Sequence, residues 1–270
     1  AFLQYRPYIA LTSAAIFIIL GYVGMYDFDL ISALSAVDYN VLLMIGGTMG
    51  TVTLFIESRM PARLAELLIS KVPNVKWAVC VLALFAGIIS AFVDNVATVL
   101  MVAPVGLAIS RKLNISPVPV LISIAVSSNL QGAATLVGDT TSILMGGYAD
   151  MTFLDFFWMQ GKPGIFWGVE AGALVSLVAL LILFRKDKQP VSAKVETEVT
   201  DYLPSVLMIG TVVCLIIASF VSEPAGGALL TIYNLRSGLI CLAICIIGVV
   251  AAIAKQGSSK IVLTVVKGLD

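Results

Sequence analysis

Apolar runs close to the length of a bilayer alternate along the chain with short polar clusters. Pro7–Met25 comes first and is followed by Asp27, Asp29 and Asp38. Tyr39–Ile56 is the second run, and Ile165–Phe184, Leu203–Val221 and Gly238–Ala254 are three more. A hydrocarbon core about 30 Å thick needs about 20 apolar residues in helical form. Each run therefore predicts a transmembrane helix. Glu57–Lys71 has another pattern: Arg59, Arg63, Glu66 and Lys71 recur among leucines. That predicts an amphipathic helix lying in the membrane interface.

Two regions do not fit the simple span. Val75–Phe92 and Val96–Ile109 are apolar limbs on either side of Asp94-Asn95. The second limb covers only about 21 Å as a helix, and Phe92–Ala97 lacks the polar loop expected of a turn in water. A re-entrant hairpin over 75–112 follows. Ser116–Asn129 is also about 21 Å long. The polar, glycine-rich Gln131–Asp139 comes next, and then Thr140–Tyr148. Together they predict one crossing, 116–148, broken in the middle. Irregular backbone at membrane depth is tolerated only where protein or a watery cavity surrounds it.

Composition narrows the class. Of 270 residues, 60% are hydrophobic and 12% charged, against about 25% charged in ordinary soluble domains. The fold class is an all-α, polytopic membrane protein, with lipid as its first partner. Sixteen basic residues balance sixteen acidic ones, so nucleic acid is not an expected partner. Histidine is absent, which removes the commonest metal ligand and pH switch. Cys80, Cys214, Cys241 and Cys245 all lie in apolar runs and read as packing residues. Gly46, Gly47 and Gly50 read as close helix packing. No resident cofactor is expected. The first residue is Ala1, and no signal peptide with a small-residue cleavage site is visible, so a processed or trimmed start is expected.

Charge gives an orientation. Lys and Arg concentrate in cytoplasmic loops. With Arg6 inside, Arg59, Arg63, Lys71, Lys76, Arg111, Lys112, Arg185, Lys186, Lys188, Lys255, Lys260 and Lys267 also fall inside, with Lys162 and Arg236 as exceptions. The expected location is the cell membrane, multi-pass, with a cytoplasmic N-terminus. Four regions result. Residues 1–38 are a transmembrane helix and outer loop, and 39–184 a core holding hairpin 75–112 and broken helix 116–148. Residues 185–202 are a charged, solvated cytoplasmic loop. Residues 203–270 are two transmembrane helices.

The candidate chemistry lies in the two breaks. An ionisable residue inside a membrane is a functional hypothesis by default. Short or interrupted hydrophobic segments point to a transport site. Unwound carbonyls and half-helix C-termini can hold a cation, while half-helix N-termini attract anions. Asp94, Asn95 and Thr98 are the candidates in the first break. Ser128, Asn129, Gln131, Gly132, Thr135, Gly138, Asp139 and Thr140 are those in the second. They would bind the solute or a coupling ion. The plainer alternative is that Asn95 and Thr98 bond backbone groups freed by the hairpin, that Asp94 pairs with a lysine from the missing part of the chain, and that Asp139 lies near the outer mouth and does little.

"FVDNVATVLMVAPV" followed by "NLQGAATLVGDTTSILMG" resembles the ion transporter superfamily of secondary carriers. Arsenite pump membrane subunits, D-type sodium/proton antiporters, the melanosomal P protein and the citrate and dicarboxylate symporters belong to it. The resemblance covers Asp38 to Phe184. It implies Asn95, Thr98, Asn129, Gly132, Thr135 and Gly138 as the site framework, with Na⁺ at Asn95, Asn129 and Gly132. Asp94-Asn95-Val96 stands where the dicarboxylate branch resembles Ser-Asn-Thr, and looks more like the P-protein and antiporter branch. Gly138-Asp139-Thr140-Thr141-Ser142 lacks the prolines of the family's Gly-Asp-Pro-Pro-Asn. Members carry two inverted repeats, and this chain shows one set of breaks. Its ending "VVKGLD" resembles "SAVDYN" before the second span. The chain is therefore expected to be the first half of a longer carrier, with the C-terminal half of the same chain as partner. The alternative is a half-size protein that dimerises antiparallel.

The resulting functional expectation is a secondary active transporter, a citrate-transporter-like permease coupled to Na⁺ or H⁺ and working by alternating access. Its solute would be a small inorganic or carboxylate ion. Arsenite efflux and Na⁺/H⁺ antiport stay open within the superfamily. No P-loop is present. An enzyme is not expected. An aspartic dyad of Asp94 and Asp139 would need Gly-x-Gly-Asp and Tyr-Asp, but the chain reads Leu136-Val137-Gly138-Asp139 and Val93-Asp94. A channel or structural membrane subunit is the other class.

Overall fold

A computed structural model describes residues 5–24, 30–112, 115–191, 196–256 and 260–267. Met25, Asp27, Asp29 and the last three residues of "VVKGLD" lie outside the described residues. The chain divides into two compact units, Ala1–Tyr39 and Asn40–Asp270. The first holds α1 (Arg6–Tyr22) and the short α2 (Leu30–Ser35). Pro7 opens α1, where its missing N–H costs nothing and its fixed φ suits the helix.

The second unit carries the breaks. In order it contains α3 (Tyr39–Glu57), α4 (Met60–Ser70), α5 (Val75–Ser90), α6 (Asn95–Lys112), α7 (Pro117–Gly132) and α8 (Thr140–Tyr148). A small antiparallel hairpin follows, β1 (Trp158–Met159) with β2 (Lys162–Pro163), in the register Trp158 to Pro163. Then come α9 (Ile165–Leu183), α10 (Leu203–Ser219), α11 (Ala228–Asn234), α12 (Arg236–Gln256) and α13 (Lys260–Lys267). The β-hairpin, α11 and α13 are too short for the span-length pattern to have predicted them.

The core forms around α5, which packs against α4, α6, α7 and α9. Val79, Leu82 and Ala86 of α5 meet Ile69, Val102 and Ile124 in one buried cluster. Gly106 lets α6 approach α7, because a Cβ there would run into Ile124 and Val120. By contrast α9, α10 and α12 expose apolar residues such as Leu174, Val175, Ile209 and Ile246. Among the described residues, Tyr39–Glu57, Ile165–Leu183 and Arg236–Lys255 are long and apolar enough to cross a membrane. Outward apolar faces on such helices suit hydrocarbon, not water. This is an all-α, polytopic membrane protein.

Three details differ from the sequence pattern. The second limb runs on through Ser110, Arg111 and Lys112, so α6 is about 27 Å long and not 21 Å. Helix α7 takes in Gln131 and Gly132, narrowing the second break to 133–139. The loop after α9 is bonded to its neighbours instead of freely solvated. Val75 N donates to Gln189 O and Lys76 N to Asp187 O, both at 3.0 Å, and Thr200 N donates to Ser58 O at 3.1 Å. Glu66 accepts from Glu196 N and Thr197 N, each at 2.9 Å. Lys255 Nζ pairs with Asp201 Oδ1 at 2.7 Å. These bonds gather at one end the helix termini that bear the basic clusters. At the α3–α12 crossing a Cβ on Gly47 would hit the Cys241 backbone, and one on Gly50 the Cys245 sulfur. The glycines at 47 and 50 and the two cysteines are packing residues, whereas Gly46 faces open space.

Candidate functional site

The hairpin tip is a four-residue connection, 91–94, between α5 and α6. Asp94 precedes the first residue of α6, and its Oδ2 accepts from Ala97 N at 3.0 Å. It is an N-cap, satisfying one of the backbone donors that a helix start leaves open. Asp139 holds the same place before α8, and its backbone carbonyl accepts from Ser142 N and Ile143 N at 3.1 Å. Its carboxylate makes no capping bond. Instead Oδ1 accepts from Thr140 Oγ1 at 3.3 Å and Oδ2 from Thr141 Oγ1 at 2.9 Å.

The two breaks are stitched to each other by side chains. Asn95 Nδ2 donates to Asn129 Oδ1 at 2.5 Å. Ser128 Oγ lies 3.1 Å from Ser90 Oγ and donates to Asn95 O at 3.0 Å. Thr135 Oγ1 donates to Ala91 O. Ser90, Ser128 and Thr135 are fully buried, and a buried polar group needs such a partner. Gly138 marks the closest approach. A Cβ there would lie 2.5 Å from Gly132 O and 2.7 Å from both Ala91 O and Ser90 O. Glycine is thus required by contact with three backbone carbonyls. Gly132 in turn sits against Ser90 Oγ and Gly138 O.

A narrow cleft beside this junction is lined by Asp94, by Val137 and Asp139 of the second break, and by Thr140 and Ile143 of α8. Thr48, Met49 and Val52 of α3 form its other wall. Two carboxylates and two half-helix N-termini therefore share one cleft, and the carbonyl-rich ends of α5 and α7 meet next to it. Negative side chains, helix N-termini and unwound carbonyls give it groups for both signs of charge.

Most of the sequence candidates come together here. Asn95, Ser128, Asn129, Gly132, Thr135 and Gly138 form the junction, and Asp94, Asp139 and Thr140 line the cleft. Thr98 is fully buried in the first turn of α6, with no hydrogen-bond partner for its hydroxyl among the described residues. Gln131 points elsewhere. Its side chain lies over Gly87 of α5, and its Nε2 reaches Glu170 Oε2 on α9 at 3.5 Å. Sequence reasoning missed Ser90, Thr48 and Glu170. Only Glu170 carried a plain signal, as the one charge inside an apolar span.

The sequence profile of the citrate transporter family matches residues 5–269. The chain belongs to this family. Among curated proteins, an uncharacterized transporter of Mycobacterium tuberculosis is 30% identical over 221 residues, covering 80% of this chain and 51% of the relative. The P protein of Mus musculus is 29% identical over 153 residues, 56% of this chain and 18% of the relative. The 46 kDa membrane protein of Mycobacterium leprae is 44% identical over 75 residues, 28% of this chain and 18% of that protein. The chain spans about half the length of the mycobacterial transporters it matches. Citrate transporter family membership and the match to P protein agree with the ion transporter superfamily resemblance drawn from the two breaks. The mycobacterial relatives bear the name of transporters.

Proposed function

We propose that the chain supplies one hairpin and one broken helix to a secondary active transporter for a small anion, with a carboxylate of the citrate class as the first candidate, coupled to Na⁺ or H⁺. The observation that carries the reading is the junction itself, where two helix breaks distant in sequence are held together by the Asn95–Asn129, Ser128–Asn95 and Thr135–Ala91 hydrogen bonds. A hard cation such as Na⁺ suits the neutral oxygens of Asn95, Asn129 and Gly132. An anion suits the N-termini of α6 and α8. Asp94 and Asp139 flank that space and oppose an anion unless a cation or a proton neutralises one of them. Coupling is a natural consequence: the cation makes room for the anion. Hairpin 75–112 dips from the side that bears the basic clusters in this reading, those clusters and the N-terminus face the cytoplasm, and a second, inverted set of breaks completes the site. Movement of that site between the two faces of the membrane constitutes alternating access. The protein acts as a transporter and not as an enzyme.

A second reading within the superfamily is Na⁺/H⁺ exchange, favoured by the Asp94-Asn95 tip and the P-protein match. One experiment separates them. The longest native chain containing this segment is placed in proteoliposomes with a preset pH gradient and a pH-sensitive dye inside. Na⁺ is added first, and Na⁺ with citrate second. Citrate uptake that needs Na⁺ or the pH gradient supports the carrier. Dissipation by Na⁺ alone, stopped by Asp94→Asn, supports the exchanger. Asn caps a helix as well as Asp, so this variant keeps the fold while losing the charge, and its normal coupled flux would sink the assignment of Asp94 to coupling.

A further inference from the structure

Glu170 is the only acidic residue of α9, in the second turn of a helix that is otherwise apolar and long enough to span a membrane. It is half-buried. Glu170 forms no ion pair among the described residues. Its polar neighbour is the amide of Gln131, itself only 3% exposed, with Nε2 at 3.5 Å from Oε2. Gly87 makes room for that amide. A Cβ at 87 would stand 3.1 Å from Gln131 Cδ and 3.2 Å from its Oε1.

The elements packed on α9 offer little else that titrates. Helix α7 has no ionisable side chain. Helix α5 has Lys76 and Cys80, which precede Gly87 by about 16 and 10 Å along its axis. Asp150, Asp155 and Lys162 lie in the segment leading into α9, and Asp155 is taken up by Thr152 N and Thr152 Oγ1 at 2.6 and 2.7 Å. An unpaired carboxylate at membrane depth is expensive, and a proton removes the cost.

We infer that Glu170 is a proton-binding group that passes its protonation state through Gln131 to the end of α7, one residue before the second break. The ionised carboxylate only accepts, and holds the Gln131 Nε2 donor. Once one proton is bound, the carboxylic acid O–H donates to Gln131 Oε1, and the amide turns over to present it. Gln131 thus has two positions, and the backbone of Gly132 follows at the carbonyl cluster around Gly138. This deepens the transporter reading by assigning the proton a residue outside the cleft. Glu170 is a positioning residue, because it acts through another side chain.

The test uses the same full chain in proteoliposomes with Na⁺ and citrate as probes, and infrared difference spectra of the purified protein across a pH titration. Citrate uptake by the native protein should follow a one-proton pH profile. Glu170→Gln should lose that profile and the carboxylic acid band that appears as pH falls, and Glu170→Asp should restore both at a shifted midpoint. Gln131→Leu keeps the acid and should move the midpoint of the band, so it serves if Glu170→Gln misfolds. An unchanged pH profile in Glu170→Gln overturns the inference and leaves the transporter reading standing. If the native protein moves neither probe, the transporter reading fails by itself. The infrared band then decides: loss in Glu170→Gln supports proton binding, and persistence overturns it.

Discussion

The two helix breaks use the same device to different ends. Each finishes on an aspartate that precedes a new helix, Asp94 before α6 and Asp139 before α8. Asp94 gives an oxygen to the Ala97 backbone. Asp139 gives both to the hydroxyls of Thr140 and Thr141. A backbone N–H at a helix start has no other protein partner, while a hydroxyl can rotate to a new one. The tip aspartate is therefore tied to the fold, and the second is free to trade partners. One sequence motif thus covers a structural carboxylate and an exchangeable one. Asp139 can release both of its partners to an arriving ion, whereas Asp94 can offer Oδ1 while Oδ2 keeps the helix end.

Gly138→Ala attacks the junction where both breaks meet and should have the largest effect. Three backbone oxygens lie in the way and cannot swing aside as a side chain would, so a loss of about 3 kcal/mol or more is expected. Thermal unfolding of the purified protein in detergent measures it, and near-native stability would show that the breaks are not in contact. Ser128→Ala comes next. It strips the buried Ser90 hydroxyl and the Asn95 carbonyl of a partner, at a cost of about 1–3 kcal/mol.

The comparison itself is tested by a pair of variants. Asp94→Ala should lose about 1 kcal/mol with its cap, and Asp139→Ala about 0.5 kcal/mol or less. Equal losses would erase the distinction. Glu66 supplies a control away from the breaks, since it accepts backbone N–H groups as Asp94 does. Burial pushes its carboxyl up, but the Thr197 and Glu196 hydrogen bonds and the charge of Arg63 outweigh that and hold it below the ordinary 4.5. A lowered folded value means that its contribution is complete above the unfolded value and is lost as pH falls through the folded one. Amide exchange at Glu196 and Thr197, corrected for intrinsic rates, should thus be slow at neutral pH and speed up only below about pH 4.5. This is the smallest effect, because the site is open to solvent screening.

Three of the five spans, at Tyr39–Glu57, Ile165–Leu183 and Arg236–Lys255, were legible because hydrocarbon imposes length and apolarity on any helix that crosses it, while among the described residues the apolar helices at Pro7–Tyr22 and Leu203–Ser219 are shorter. The breaks were legible as helix interruptions because glycine and polar residues inside an apolar run favour a turn over a continuous helix. What Asp94 does was half legible: an aspartate just before an apolar helical run is an N-cap signal, but its membrane setting drew attention to its charge instead. The bonds from Ser128 and Thr135 to Asn95 and Ala91 were not legible, since they depend on how two distant segments pack. Residues 185–202 showed no periodicity; Asp187 and Gln189 attach to α5 by backbone pairing, and Glu196 and Thr197 attach to α4 by giving backbone N–H groups to Glu66, neither of which a hydrophobic pattern encodes. The difference between Asp94 and Asp139 likewise lies in geometry, not in residue type.

The stitching of the two breaks also constrains how the protein is made. The tip offers the carbonyls of Ala91 and Asn95, and their partners Thr135 and Ser128 are 44 and 33 residues further along. At about 5–20 residues per second of synthesis, they emerge about 2 to 9 seconds later. For that interval the hairpin end has no protein to bond. It must wait in water, at the interface, or inside the insertion machinery, because bare lipid cannot host it. The α5–α6 and α7–α8 pairs therefore close on each other only after Thr135 has been made, and a ribosome stalled before it would leave the tip without these partners.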